Sequence, residues 1–245
     1  MEEAVSKEGS GARADRGTGG RWGWWGIVFV AAFVASIAAG GVLKAGESLY
    51  LPEASVTQLR DYYSASGAAV IAQSALQVLA AIALYRFGYR LRAALRPDGP
   101  RTAAVAGWGS ALAAGALLAS VVCSLALVQV ATSAGDAVVA GLGKTALVLG
   151  GAIHLLGSGI LISAASAVAW RTRRRPRWVF GYGTFGGPLV AASALSIVLP
   201  PLVRPEPVFR LLAAVWLVGL GIGVLRGGLA SSRVSQPSPR AEGQA

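Results

Sequence analysis

Four polar side chains within long apolar stretches are the best candidates for chemistry in this sequence: Gln73, Gln77, Ser124 and His154. His154 is the only histidine, and an imidazole can exchange a proton near neutral pH or bind a metal. Gln73 and Gln77 are four residues apart, which places them on one face of a helix. Because a polar side chain facing hydrocarbon is costly, we expect these four residues to meet inside a helix bundle, either as a packing cluster or as the floor of a pocket.

Two glycine motifs are similar to nucleotide sites, but their surroundings argue against that chemistry. Gly181, Gly183 and Gly186 fit the pattern G-x-G-x-x-G, which requires a preceding strand and a βαβ unit. An arginine-rich segment and an apolar stretch flank them instead. Residues 141–145, GLGKT, are similar to the end of a phosphate-binding loop, yet Val138 stands where its first glycine is required.

Other catalytic and cofactor chemistry also lacks the necessary groups. Residues 156–159, LGSG, are similar to part of an intramembrane serine-protease motif, but Leu156 replaces its glycine, and His154 lies on the same helix as Ser158. The only methionine is Met1 and the only cysteine is Cys123, so haem lacks a second axial ligand and a thiolate metal site lacks partners. The sequence therefore predicts no catalytic residue, no cofactor and no metal.

The composition is typical of a membrane protein. Of the 245 residues, 54% are hydrophobic and 13% are charged, about half the charged fraction of soluble domains. A net charge of +11 would suit nucleic acid, but the arginines lie at the ends of apolar runs instead of on one folded surface. We therefore expect the lipid bilayer, and no nucleic acid, to be a partner.

Six apolar stretches predict an all-α polytopic transmembrane bundle with six spans. The longest is ALVLGGAIHLLGSGILISAASAVAW, 25 residues without a charge, which exceeds the length needed for a hydrocarbon core of about 30 Å. The first span is long for a cleavable signal peptide, the alternative at this position. The predicted spans are residues 22–43, 67–85, 106–131, 146–170, 179–203 and 211–225. None contains Asp or Glu, which argues against a carboxylate-based ion pathway. Residues 22–226 thus form the predicted membrane domain, between disordered cytoplasmic tails at 1–21 and 227–245.

Small residues at intervals of four predict two close helix crossings. One stripe is Gly107, Ala111, Gly115 and Ala119 in the third span. The other, in the sixth span, is Gly219, Gly223 and Gly227.

The polar segment 44–66 is the best candidate for an exposed recognition surface, although a solvated loop is the simpler reading. Ser55 and Gln58 have the spacing of a capping box, which predicts a short helix starting there. The candidate contact residues are Glu47, Tyr50, Glu53, Arg60 and Asp61. The other link on this side, around Asp136 and Lys144, is predicted to be short.

Lysine and arginine counts predict that both termini are cytoplasmic. That side would receive 17 basic residues: four before the first span, five after the second, five after the fourth and three after the sixth. The opposite side would receive five. The basic blocks fix this topology, and they also make anionic lipid headgroups candidate partners. The candidate lipid contacts are Arg86, Arg90, Arg92, Arg171, Arg173, Arg174, Arg175 and Arg177.

The arrangement resembles a group of uncharacterised six-span integral membrane proteins of high-GC bacteria. The resemblance covers residues 22–226 and rests on RRPRWVFGYG, in which Pro176, Arg177 and Trp178 introduce the fifth span. It implies a helical bundle in a bacterial plasma membrane and no catalytic residue. The expected role is a non-enzymatic accessory or regulatory component that binds another membrane subunit. The alternative is a small-solute transporter or permease subunit.

The count of basic residues predicts the outcome of reporter fusions. Fusions at Ser55 and Asp136 should report an external location, and fusions at Pro97, Pro176 and the C-terminus a cytoplasmic one, because basic segments are retained inside. Paired alkaline phosphatase and green fluorescent protein fusions would measure this. An external C-terminus would remove one of the six predicted spans.

Overall fold

The computed structural model describes residues 21–45, 54–227 and 229, and its regular secondary structure there is helical throughout. The tails predicted at 1–21 and 227–245 lie outside the described residues, apart from Arg21, Gly227 and Leu229. The α-helices of the described residues are α1 (Trp24–Leu43), α2 (Val56–Ala65), α3 (Gly67–Leu95), α4 (Pro100–Val130), α5 (Asp136–Val148), α6 (His154–Arg171), α7 (Arg177–Ala192) and α8 (Glu206–Gly227).

Five helical segments of the described residues are long and apolar enough to cross a membrane. They are Arg21–Leu43, Gly67–Leu95, Pro100–Val130, Asp136–Arg171 and Pro201–Gly227. The all-α prediction is therefore confirmed, and these segments include five of the six predicted spans. The remaining one, predicted at 179–203, is interrupted.

The long helices form a closed ring. α1 packs on α3, α3 on α4, α4 on α6, α6 on α7, α7 on α8, and α8 returns to α1. α6 also contacts α3 and α8 across the ring, and its segment is the most buried of the five. Trp216 of α8 lies at the centre, where its indole N–H donates to Ser166 of α6 at 3.1 Å and its ring meets Phe87 of α3 edge-on.

The crossing of α4 and α6 is a contact between backbones. A Cβ on Gly157 would lie 2.5 Å from the amide nitrogen of Ala113 and 2.7 Å from the carbonyl oxygen of Gly109. A Cβ on Gly109 would in turn lie 2.6 Å from the amide nitrogen of Leu161. The stripe predicted on α4 makes a close contact at Gly107, where an added Cβ would lie 2.6 Å from the Arg92 side chain of α3. It makes none at Gly115, which is exposed and faces open space. The helix turns the neighbouring face, with Gly109, towards α6.

The stripe predicted on α8 is confirmed at two of its three glycines. A Cβ on Gly219 would lie 2.8 Å from the Trp178 ring, and one on Gly223 would lie 2.6 Å from the Pro176 ring. Gly227 faces open space instead, because α8 ends there. The two close contacts bring α8 against the start of α7.

The helical segment that contains the predicted fourth span begins ten residues before it, at Asp136. Asp136 and Lys144 lie in α5, which continues through a π-helical turn (Leu149–Ile153) into α6. Asp136 belongs to the first helical turn, where a carboxylate interacts favourably with the free amides of the helix start. The short link predicted around Asp136 and Lys144 is therefore wrong.

The fifth predicted span is broken into three pieces. α7 ends at Ala192, and 3₁₀ turns follow at Ser193–Ile197 and Pro200–Val203. Pro188 lies inside α7 and has no N–H to donate to the carbonyl of Thr184, which weakens the end of the helix. The Ser193 hydroxyl then donates to the carbonyl of Val190, three residues earlier, at 2.7 Å. This spacing is shorter than the four residues of an α-helical hydrogen bond.

The capping box that was predicted for α2 is confirmed. The Ser55 hydroxyl accepts from the amide of Gln58 at 3.2 Å, and the Gln58 side chain accepts from the amide of Ser55 at 2.9 Å. Leu59 and Tyr63 then pack into a small second core with α3, α4 and α5. α2 therefore covers this end of the bundle.

The α4–α6 crossing predicts opposite effects for one substitution at two glycines. Gly157→Ala should lower the stability by about 1–3 kcal/mol, because the added methyl group meets backbone that cannot move alone. Gly115→Ala is the matched control and should leave stability unchanged or slightly raised, since its methyl group enters open space. Thermal unfolding in detergent would measure both, and equal melting temperatures would contradict the crossing.

Candidate functional site

His154 is held at the interface of α6, α4 and α1. It is the first residue of α6 and is 3% exposed. Its Nδ1 lies 3.0 Å from the carbonyl oxygen of Ala113. Its ring stacks on Phe33 at 6.1 Å and lies tilted against Phe29 at 6.0 Å between ring centres. A carbonyl oxygen can only accept a hydrogen bond, so Nδ1 carries a proton.

The π-helical turn before His154 brings polar side chains from two other helices to α6. A Cβ on Gly150 would lie 2.6 Å from the hydroxyl of Ser120, and one on Gly151 would lie 2.7 Å from a carboxylate oxygen of Glu206. The two glycines thus leave the space that Ser120 and Glu206 fill. π turns inside α-helices are frequent at functional sites.

A buried ion-pair cluster of Ser196, Glu206 and Arg210 lies beside this turn. Glu206 is 6% exposed and accepts from the Ser196 hydroxyl at 3.1 Å. Arg210, one helical turn further along α8, lies 3.7 Å from the carboxylate and donates from Nη2 to the Gly150 carbonyl at 3.0 Å. The cluster joins α8 to both irregular segments, the π turn and the 3₁₀ turn after α7.

The ion-pair cluster is linked to His154 through an aromatic ring. The Arg210 guanidinium lies over Phe33 at 5.4 Å from the ring centre, and the same ring stacks on His154 with an interplanar angle of 8°. A guanidinium over an aromatic face is stabilised by the ring quadrupole. Three helices therefore share one set of charged and aromatic side chains.

A cleft of about 200 Å³ opens between α1, α6 and α8 at this position. His154, Ser158 and Arg210 form its polar part, and Phe29 and Phe33 form an aromatic wall. Its outer residues are Val34, Ile37 and Leu211, all more than half exposed. The cleft thus joins a polar floor to an apolar mouth on the side of the bundle.

The other residues of the predicted polar cluster make separate contacts. Gln73 fills the space above Gly40, where an added Cβ would lie 2.8 Å from its side-chain oxygen. Ser124 interacts with Tyr63, and Gln77 is half-buried on α3. Burial raises the pKa of Tyr63, and the bond from Ser124 partly opposes this. Within the described residues, no hydrogen bond joins any two of Gln73, Gln77, Ser124 and His154.

The predicted sixth span began after Arg210, at residue 211, and therefore left out the ion-pair cluster. α8 starts at Glu206 and has 22 residues, so its helix includes an acidic residue that the predicted span left out. Two signals were available: Glu206 and Arg210 have the i, i+4 spacing of a helical ion pair, and Pro207 is a residue favoured in a first helical turn.

The candidate lipid-contacting arginines differ in what they touch. Arg86 lies over the Trp25 ring and Arg177 over the Trp170 ring, each at 5.6 Å from the ring centre. Arg174 instead points inwards: it is 9% exposed, and it pairs with Asp98 at 2.5 Å and donates to the Leu229 carbonyl at 2.8 Å. The other candidates, Arg90, Arg92, Arg171, Arg173 and Arg175, are exposed.

The candidate recognition surface is described only in part. Glu47, Tyr50 and Glu53 lie outside the described residues. Arg60 donates to the carbonyls of Ala131 and Ala134 and pairs with Asp136 at 2.7 Å, so it holds α2 against the turn between α4 and α5. Asp61 is exposed on α2.

Comparison of the chain with family models, with curated proteins and with solved structures gave no match.

The buried ion pair predicts a strong coupling between Glu206 and Arg210. Glu206→Ala should lower the stability by up to about 3 kcal/mol, because it leaves a half-buried guanidinium, whose side chain is 27% exposed, without its counter-charge. The double variant Glu206→Ala/Arg210→Leu should recover part of this loss, since both charges are gone. Thermal unfolding in detergent would give the coupling energy.

The Arg60–Asp136 pair supplies the matched control for that cycle. The Asp136 side chain is 80% exposed, so Asp136→Ala should cost no more than about 1 kcal/mol. If Glu206→Ala costs no more than Asp136→Ala, the Glu206 carboxylate is hydrated and the cluster is not a buried pair.

Proposed function

We propose that the chain is a six-span protein of the bacterial plasma membrane, with both termini in the cytoplasm. The contacts at one end of the bundle support this topology. Arg174 joins the turn after α3 to the turn after α6 and, through Leu229, to the segment after α8. Arg86 lies over Trp25 at the start of α1. The basic blocks therefore collect at one end, which the positive-inside rule assigns to the cytoplasm.

The length of the broken segment supports a sixth crossing. α7 has 16 residues and the following 3₁₀ turn has five, which correspond to about 24 Å and about 10 Å. Their combined length matches a hydrocarbon core of about 30 Å. α7 starts next to Gly219 and Gly223 in the second half of α8, and the 3₁₀ turn reaches Glu206 at the start of α8.

Anionic lipid headgroups are the proposed lipid partners at the basic end. A groove of about 890 Å³ runs along α8, with Val215 and Ile222 on its wall and Trp178 beside them. Arg175 and Arg226 close its basic end. An apolar wall below two guanidinium groups complements an acyl chain below a phosphate.

We infer a non-enzymatic accessory or regulatory role, in which the protein binds another membrane subunit. The observation that carries this inference is the use of interior polar side chains as links between helices. Ser110 donates to the Leu84 carbonyl, Ser120 to the Ala146 carbonyl and Trp216 to Ser166. Such bonds contribute about 0.6 kcal/mol each in membrane proteins and stabilise a fixed scaffold.

A small-solute transporter or permease subunit is the second candidate. Transporter sites are typically built where interrupted helices meet around charged side chains. Here the π turn before α6 packs against the 3₁₀ turn after α7, and Glu206 lies between them. This juxtaposition is the specific observation in favour of transport.

Native mass spectrometry after purification in a mild detergent would separate the two roles. An accessory component should co-purify with a second protein in fixed stoichiometry, and the complex should survive in Glu206→Gln, which keeps the volume of the side chain. An unrelated multi-pass protein with the same tag is the control. If the chain is found without any protein partner, the accessory role is contradicted, and uptake by proteoliposomes becomes the test of transport.

A further inference from the structure

The cleft between α1, α6 and α8 contains polar atoms that have no hydrogen-bond partner among the described residues. In the described part of the chain, every fully buried side-chain nitrogen or oxygen has a partner. His154 uses only Nδ1, and Ser158 makes no hydrogen bond to the described residues, although the two residues are 3% and 2% exposed. Nε2 of His154 and Oγ of Ser158 must therefore reach a surface, and both residues line the cleft.

A third polar group completes the floor from the opposite helix. Arg210 donates to the Gly150 carbonyl through Nη2, and the same atom faces Glu206. The N–H groups of Nε and Nη1 are therefore available to a ligand. The positive charge of Arg210 is balanced by Glu206, so the floor offers hydrogen bonds without a net charge. An anionic ligand would add an uncompensated charge in an apolar cleft.

The tautomer of His154 defines what the ligand must supply. Because Nδ1 donates to the Ala113 carbonyl, the singly protonated ring presents a lone pair at Nε2. Nε2 then needs a donor, and Arg210 needs an acceptor. A hydroxyl group meets both needs with one atom, since it donates its proton and accepts through its oxygen.

The size and walls of the cleft favour an aromatic head. An apolar cavity of about 150 Å³ can hold benzene, and this cleft measures about 200 Å³. Phe29 and Phe33 line it, and aromatic rings pack favourably on one another at centroid separations of about 4.5–7 Å. One substituted six-membered ring therefore fits against this wall.

An apolar tail of a ligand can leave the cleft through its mouth. Val34, Ile37 and Leu211 at the mouth are exposed on the side of the bundle. Val30, Leu211 and Ala214 also line the larger groove along α8, so the two cavities adjoin. A tail that leaves the cleft can follow this groove without meeting a charged group until it reaches the basic end.

We propose that the cleft binds the phenolic head of a membrane-dissolved amphiphile, the chemical class that includes prenylated hydroquinones. The phenol O–H donates to Nε2 of His154, and the phenol oxygen accepts from Ser158 and from Arg210. The ring lies against Phe29 and Phe33, and the tail leaves between α1 and α8. This binding goes beyond the proposed accessory role and is compatible with the transport alternative.

The single histidine makes a direct test feasible. The full chain, with a tag that contains no histidine, is labelled with ¹⁵N-histidine and placed in lipid nanodiscs, so that one imidazole gives the spectrum. The probes are 4-decylphenol and its methyl ether, 4-decylanisole, which differ only in the O–H group. The phenol should shift the Nε2 resonance saturably, and the ether should bind about tenfold more weakly and leave the resonance in place.

Substitutions in the cleft locate the binding. Ser158→Ala should weaken binding of the phenol about fivefold, because it removes one hydroxyl with little change in packing. Ala214→Trp should abolish the Nε2 shift by filling the cleft. Val208→Trp on the same helix is the control and should bind normally, since Val208 is exposed and lines neither cavity. Melting temperatures without ligand verify that each variant is folded.

Three results would overturn the proposal. If the phenol and the ether bind equally and the Nε2 resonance does not shift, the cleft binds apolar chains without recognising the hydroxyl group. No binding of either probe would make it a packing void. A shift that survives in a folded Ala214→Trp variant would place the phenol elsewhere. None of these results depends on a protein partner, so failure here is distinct from failure of the accessory role.

Discussion

The backbone contact between α4 and α6 is the constraint on which the rest of this bundle depends. Gly157 and Gly109 face each other without side chains, so the two helices approach until Ala113 lies against α6. One turn before Gly157, His154 meets the carbonyl of the same Ala113. The close approach therefore provides the polar partner that allows an imidazole to be buried, and it also fixes which ring nitrogen faces away from α4.

Interruptions in two helices create the polar region next to this crossing. A continuous α-helix satisfies its own backbone groups and offers few of them to other side chains. Where the segment of α5 and α6 changes to a π turn, the Gly150 carbonyl accepts from Arg210. Where α7 gives way to a 3₁₀ turn, Ser196 reaches Glu206. The buried ion pair thus depends on both irregular turns, and each turn is held by the ion pair in return.

The two cavities along α8 follow from the way this helix closes the ring. Its small residues allow close contact with α1 and with the start of α7, and between these contacts its surface remains uncovered. One end of this uncovered strip lies beside Arg175 and Arg226, and the other lies beside His154 and Arg210. A single helix face therefore has two guanidinium groups at one end and, at the other, a histidine beside an arginine that is paired with Glu206.

The sequence by itself determined the all-helical architecture, the approximate positions of five long apolar helices and the capping box at Ser55, because length, hydropathy and local hydrogen bonding act within a few residues. It could not determine which glycine stripe of α4 meets α6, since Gly109 and Gly115 are equivalent until a partner helix is present. Nor could it assign partners to the polar residues, because helix rotation directs Gln73, Ser124 and His154 to three different neighbours: Gly40, Tyr63 and Ala113. Only the tertiary structure decided these contacts, because they depend on the rotation and spacing of helices far apart in the chain.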